Sequence, residues 1–240
     1  MPQPQKFVEA MLNLSRYHRE HEKFYARAPL KQAIAMQDTS RLLKNFADRW
    51  EETEPREPEP GNPYLGCEDL NDPSEIQASG VLFMEGQEEP PEVARLKRDL
   101  ATMSDDFQET GKWLTEAMET SWKIAGSLVE YPALADVLGE RHRIIANDWQ
   151  AAGLSSMVSR LLRRALDILE TIDFTPAFIR SDMSGARIIP ARLRSASELI
   201  DRAADLAAES ATLVHDNDRR WRIFRERAAA VSPEPPETKE

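Results

Sequence analysis

Between residues 91 and 130 the core-type positions keep one unbroken rhythm. Val93, Leu96, Leu100, Met103, Phe107, Thr110, Leu114, Ala117, Ser121, Ile124 and Leu128 step alternately by three and four. A period of about 3.5 residues holds such positions on one narrow stripe, so the spacing predicts a single long helix. The same spacing returns at Leu154, Val158, Leu161, Ala165, Ile168 and Ile172, within a helical stretch expected over 132–173 with an interruption near Gly153. It returns again at Leu193, Ala196, Ile200, Ala203, Ala207, Ser210, Val214, Asn217, Trp221 and Phe224, predicting a helix over 191–230. Many of these last residues are small, which lets a neighbouring helix come close.

Two shorter stripes precede them. Phe7, Met11, Leu14, His18, His21 and Tyr25 share one face of a helix over 4–28. Leu30, Ala33, Met36, Leu43, Phe46 and Trp50 form the stripe of a second helix over 30–52, with Pro29 as the boundary between the two. Trp113, Trp122 and Trp149 lie near the later stripes and are expected as core or helix–helix contacts.

The rhythm fails over 53–91, where Pro55, Pro58, Pro60, Pro63, Pro73, Pro90 and Pro91 fall. That stretch is too long for an ordinary loop and too rich in proline for a helix. It is expected to be an acidic, Pro-rich, irregular linker with one apolar island, Val81-Leu82-Phe83-Met84. Pro176, Gly185 and Pro190 mark a turn region over 174–190, and residues 232–240 read as a disordered tail. The organisation expected is an N-terminal helical hairpin (1–52), the linker (53–91), a helical bundle (92–231) and the tail (232–240), with both helical parts in one domain. The fold class is all-α: an elongated antiparallel bundle of about five or six helices, the longest about 60 Å at 1.5 Å per residue.

Composition supports this reading. Hydrophobic residues make up 41% of the 240, enough for a core, and there are only nine glycines. The net charge is −11, but residues 51–94 set one arginine against thirteen acids, so the rest of the chain is close to neutral. Cys67 is the only cysteine, which excludes an intrachain disulfide and suits a reducing, cytoplasmic location. No run approaches the roughly 18 uncharged apolar residues of a membrane span, so no membrane partner is expected.

Candidate chemistry is sparse. His18, His21 and Glu22 lie within about a turn of one another, a set able to ligate a metal ion, but no Glu-x-x-His pair of the di-iron kind occurs. Cys67 stands before Glu68 and Asp69, whose charges disfavour a reactive thiolate. There is no Gly-rich phosphate loop and no Gly-x-Ser-x-Gly turn. Nothing in the sequence asks for a cofactor or for catalysis. The sharpest surface signal is Arg219, Arg220, Trp221, Arg222, Phe224 and Arg225, cations interleaved with aromatics in a pattern that can grip an anion or a protein partner. Arg180, Arg187, Arg192 and Arg194 add to it from the preceding region, and the acidic linker is a candidate shield for it.

The function expected is therefore that of a non-enzymatic helical adaptor, scaffold or regulator that binds another protein or itself. The alternatives are a helical metalloprotein using His18 and His21, and an arginine-dependent nucleic-acid or anion binder masked by the linker.

Overall fold

A computed structural model describes residues 4–52, 89–126, 135–172 and 183–231. Among them the regular elements are four helices packed together: α1 (Pro4–Glu52), α2 (Pro91–Gly126), α3 (Ala135–Glu170) and α4 (Met183–Val231). None is long and apolar enough to cross a membrane.

Four helices stand where five or six were expected, because two prolines and a glycine do not break their helices. Pro29 lies inside α1 and Pro190 inside α4. An interior proline lacks its N–H and forfeits a backbone bond, at a cost of about 3 kcal/mol or more. Both prolines are buried, and buried residues continue the stripe beyond each, Ala33 after Pro29 and Leu193 after Pro190. Apolar burial beyond each proline therefore carries the helix through. Residues 183–190, expected as turn, are the first turns of α4, and α3 runs through Gly153. The linker over 53–88 and the tail 232–240 lie outside the described residues. Pro90 and Pro91, placed in the linker from sequence, start α2 instead: the Pro90 carbonyl accepts from the Val93 and Ala94 amides at 3.0 and 3.1 Å. Pro91 sits where a helix needs no N–H.

The described helices divide into two compact units. One comprises residues 1–35, 103–160 and 203–240. Its α2 and α3 segments run antiparallel, since Ser104 meets Ser159 (Oγ to Oγ, 3.1 Å) while Leu114 packs with Ala151 and Ala152. Its α3 and α4 segments are also antiparallel: Ser155 meets Ser210 at 3.3 Å, Asn147 donates to Asn217 at 2.9 Å, and Arg227 donates to the Asp136 carbonyl. Small side chains permit these contacts. A Cβ added at Gly111 would lie 3.2 Å from Ser156 Oγ and 3.4 Å from the Ala152 carbonyl oxygen, so α2 and α3 approach over this glycine.

The other unit comprises residues 36–102 and 161–202. Met36, Leu43, Leu100, Leu162, Leu193 and Ile200 are in its core. Ser40 donates to the Ser197 carbonyl at 3.1 Å, and the pairs Lys44–Asp201 and Arg194–Asp48 flank that contact at 2.5 and 2.8 Å. The Arg192 guanidinium donates to the Thr171 carbonyl and satisfies the end of α3.

The glycines differ in what substitution should do. At Gly139 and Gly153 an added Cβ meets nothing within 4 Å. Alanine at either is expected to stabilise the chain by about 0.5–1 kcal/mol, the usual helix-interior difference. Gly111→Val should instead destabilise by about 1–3 kcal/mol, since the added methyls force α2 from α3. Urea midpoints of the three variants check both signs; a stable Gly111→Val would show that the close approach is absent.

Candidate functional site

The long stripes are buried as their spacing requires. All ten α4 seam positions from Leu193 to Phe224 are buried, and the described α2 seam from Val93 to Ala117 is buried or half-buried throughout. Leu30 of the stripe expected over 30–52 is half exposed, while Ala33, Met36 and Leu43 of that stripe are buried.

Extending the α3 stripe toward its N-terminus reaches residues that are not apolar. Arg141 and Asp148 are fully buried there, opposite Asn217 and Trp221 of α4. Asn217 donates from Nδ2 to Asp148 Oδ1 at 2.8 Å and receives the Asn147 amide at 2.9 Å. The Arg141 guanidinium carbon lies 4.4 Å from the Trp221 ring centroid, a cation–π stack worth about 2 kcal/mol when desolvated. Trp221 meets Phe224 edge to face with centroids 5.4 Å apart.

Glu140, buried beside this group, collects three cations: Arg143 at 3.2 Å, Arg227 at 3.5 Å and Arg220 at 3.9 Å. Arg220 also donates to Asp216 at 2.8 Å. The cluster sets α3 against α4 in register, because each carboxylate is matched by groups from the facing helix.

Asp148 is the unusual member. Burial pushes its carboxyl up to about 7, opposed in part by the Arg141 charge and the Asn217 hydrogen bond. Its Oδ2 has no hydrogen-bond partner among the described residues. The native state thus holds a proton that the unfolded chain releases near pH 4. Stability from this group is fully present below about pH 4, falls as pH rises toward 7, and is flat above that. Asp148→Asn keeps an oxygen to accept from Asn217 and carries no charge. It is expected to stabilise the protein at pH 8 by on the order of 2 kcal/mol and to flatten the slope between pH 4 and 7. Equal stability of variant and parent at pH 8, measured by urea unfolding, would show the carboxyl is not held up.

The sequence-derived arginine site is divided by the fold. Trp221 and Phe224 are completely buried and serve as core, not as a stacking platform. Arg220 is occupied by Asp216 and Glu140, and Arg225 donates to the Trp221 carbonyl at 3.3 Å. Arg219 and Arg222 are exposed. Arg192 and Arg194 are engaged as described above. The side chains of His18, His21 and Glu22 lie outside the described residues. Among the described ones, no group of three His, Cys, Asp or Glu is arranged to hold a metal ion.

Of the tryptophans expected as core or helix–helix contacts, Trp122 meets His142 of α3 while largely exposed, and Trp149 is on the surface. Trp149 is 67% exposed and Trp122 59% exposed, the latter with its ring centroid 5.6 Å from that of His142. Trp149 belongs to a second α3 stripe on the solvent side: Ala135, Gly139, His142, Ala146, Trp149, Gly153 and Met157, all exposed and none of them Asp, Glu, Lys or Arg. Exposed faces of α2 and α4 are built otherwise. On α2 the corresponding run is Asp105, Glu109, Lys112, Glu116 and Glu119, and on α4 it includes Asp205, Glu209, Arg219, Arg222 and Glu226. A helix face that needs only to be wet carries charges, as those two do; the α3 face carries a tryptophan and a methionine.

The fold and these features define an all-α helical-bundle protein with a polar cluster sealed between two helices and an uncharged face on one of them. Comparison with protein families, with characterised proteins and with solved structures finds no match.

Proposed function

We propose that the protein is a non-enzymatic helical adaptor, scaffold or regulator that acts by binding another protein. The observation that carries this reading is the solvent face of α3, where Trp149, 67% exposed, and Met157, 42% exposed, stand on an uncharged stripe. Large apolar side chains gathered on a surface mark interaction sites, and tryptophan is the residue most enriched at binding hot spots. The polar chemistry supports the same view. Glu140, Asp148, Asn217 and Arg220 are turned to one another between helices, which suits a scaffold held in one register. The acidic, proline-rich stretch 53–91 adds a segment of the composition common in docking regions.

The test is affinity purification of the tagged full-length chain from its native host, with quantitative mass spectrometry. A protein recovered in near-stoichiometric amount with the parent chain is the expected result. Recovery of the chain alone, coupled with turnover of a small molecule by the purified protein, would replace this reading with an enzymatic one.

A further inference from the structure

We infer that Arg143, Arg220 and Arg227, gathered around Glu140 where α3 meets α4, form a binding site for a phosphate dianion. The site uses other residues than the solvent face of α3 and does not depend on the protein-binding reading. Three guanidiniums converge on one buried carboxylate. Arg143 follows Glu140 by one turn of α3, and its Nη1 is 3.2 Å from Glu140 Oε1. Arg227 comes from α4, and its Nη1 is 3.5 Å from the same oxygen. Arg220, two turns earlier on α4, places Nη1 3.9 Å from Oε2. Glu140 is buried, Arg220 is half-buried, and Arg143 and Arg227 are exposed. The carboxylate is thus the floor of a group whose cations reach solvent.

Pairing with Glu140 does not exhaust the charge. Glu140 sets one negative charge against three cations, and Asp216 adds a second through Arg220 Nε at 2.8 Å. One positive charge remains within the group. The surroundings do not cancel it. Residues 135–147 and 215–227 together hold seven arginines against five acids, with Asp136, Asp218 and Glu226 counted among the five. That local excess of two stands on a chain whose net charge is −11.

Hydrogen-bond donors remain as well. A guanidinium carries five N–H donors. The contacts of Arg143 and Arg227 run through Nη1, which in Arg227 also donates to the Asp136 carbonyl at 3.3 Å. Those of Arg220 run through Nε and Nη1. The Nη2 group of each arginine therefore has no partner among the described residues. Like charges held this close repel one another, and an anion on the solvent side relieves that repulsion. The planar fork of arginine matches phosphate oxygens two at a time. A phosphate monoester offers three acceptor oxygens to the three guanidiniums, and its two charges offset an excess that a carboxylate only halves.

The probes are inorganic phosphate and a short phosphoserine peptide, titrated into the full chain by calorimetry at ionic strength held constant with chloride. Control peptides carry serine or glutamate in place of the phosphoserine. Saturable binding of both phosphate probes is expected, the phosphopeptide at least tenfold more tightly than the glutamate peptide. Arg143→Gln with Arg227→Gln should weaken both probes tenfold or more. Arg143→Gln alone, which removes an exposed side chain paired only within its own helix, should weaken them at least threefold with the urea midpoint near the parent's. Glu140→Gln keeps the shape and an acceptor oxygen but removes the competing charge. It should tighten phosphate binding severalfold whatever it does to the midpoint, a gain that a group serving only to hold α3 against α4 does not predict. Tighter binding of the phosphopeptide than of inorganic phosphate supports the site with a phosphorylated protein as its source, and the reverse order supports it with a free phosphate compound.

Absence of saturable phosphate binding, affinity unchanged in the arginine variants, or equal affinity for the glutamate peptide overturns the inference. Weaker phosphate binding by Glu140→Gln in a chain that remains folded does so too. So does binding of a single-stranded oligonucleotide when neither phosphate probe binds, since its phosphodiesters carry one charge each.

Discussion

Leu114→Asp is expected to lower stability by at least about 4 kcal/mol. Leu114 is fully buried and clusters with Ala151, Ala152 and Val214, so α2, α3 and α4 all meet at its side chain. Two losses combine there. Truncating a buried leucine removes its transfer energy and leaves a cavity, at about 2–5 kcal/mol. An aspartate in its place adds either an unpaired charge among apolar groups or the cost of protonating it. Small neighbours such as Ala151 and Ala152 cannot rotate to fill the space or to pair the carboxyl. Circular dichroism and urea unfolding at pH 8 check the outcome. The variant should be largely unfolded or show a much lower midpoint, whereas Leu114→Met should cost less than about 1.5 kcal/mol. Near-parent stability of Leu114→Asp would mean that the seam is open to water.

Trp221→Ala is expected to cost about 3–5 kcal/mol, the range for truncating a buried aromatic. Trp221 is the largest fully buried side chain described, and two partners depend on it. Phe224 packs edge to face against the ring, and Arg141 lies over it. Losing the ring leaves a void beside a buried cation, so water or a shifted side chain must enter. Trp221→Phe keeps an aromatic face for Arg141 and should recover more than half of the loss. Thermal and urea unfolding of both variants decide the matter. If alanine and phenylalanine cost the same, an aromatic face at this position recovers nothing and the Arg141 stack contributes little.

The stripes of α2 and α4 were legible because a 3.5-residue repeat sustained over many turns leaves one arrangement, a buried seam. Proline was a less reliable guide. Its cost is local and fixed, while burial accumulates along the helix, so Pro29 and Pro190 were overridden. The arginine-rich end of α4 shows why composition misleads. Trp221 and Phe224 already sat on the seam, and of the interleaved arginines Arg220 is held by Asp216 and Glu140 and Arg225 by a backbone carbonyl, while Arg219 and Arg222 are exposed. The seam spacing, followed backward along α3 from Leu154, lands on Ala151, Asn147, Ile144 and Glu140, and the buried charged residues Arg141 and Asp148 lie one position further round the helix. That signal was present in the sequence, but charges are ordinarily read as solvent-facing, and pairing with α4 becomes visible only when the helices are set together. The uncharged solvent face of α3 was legible in the same way: Ala135, Gly139, His142, Ala146, Trp149, Gly153 and Met157 keep the seam spacing on the opposite side. One helix with two such stripes leaves the choice of the buried one to packing.

The most direct measurement of the protein-binding reading is quantitative co-purification from the native host of three chains side by side: the parent, Trp149→Ala and Gly153→Leu, each first shown to be folded by its urea midpoint. The predicted result is one protein recovered near stoichiometrically with the parent and depleted at least tenfold with both variants. Recovery of the parent chain without any such protein would contradict the reading.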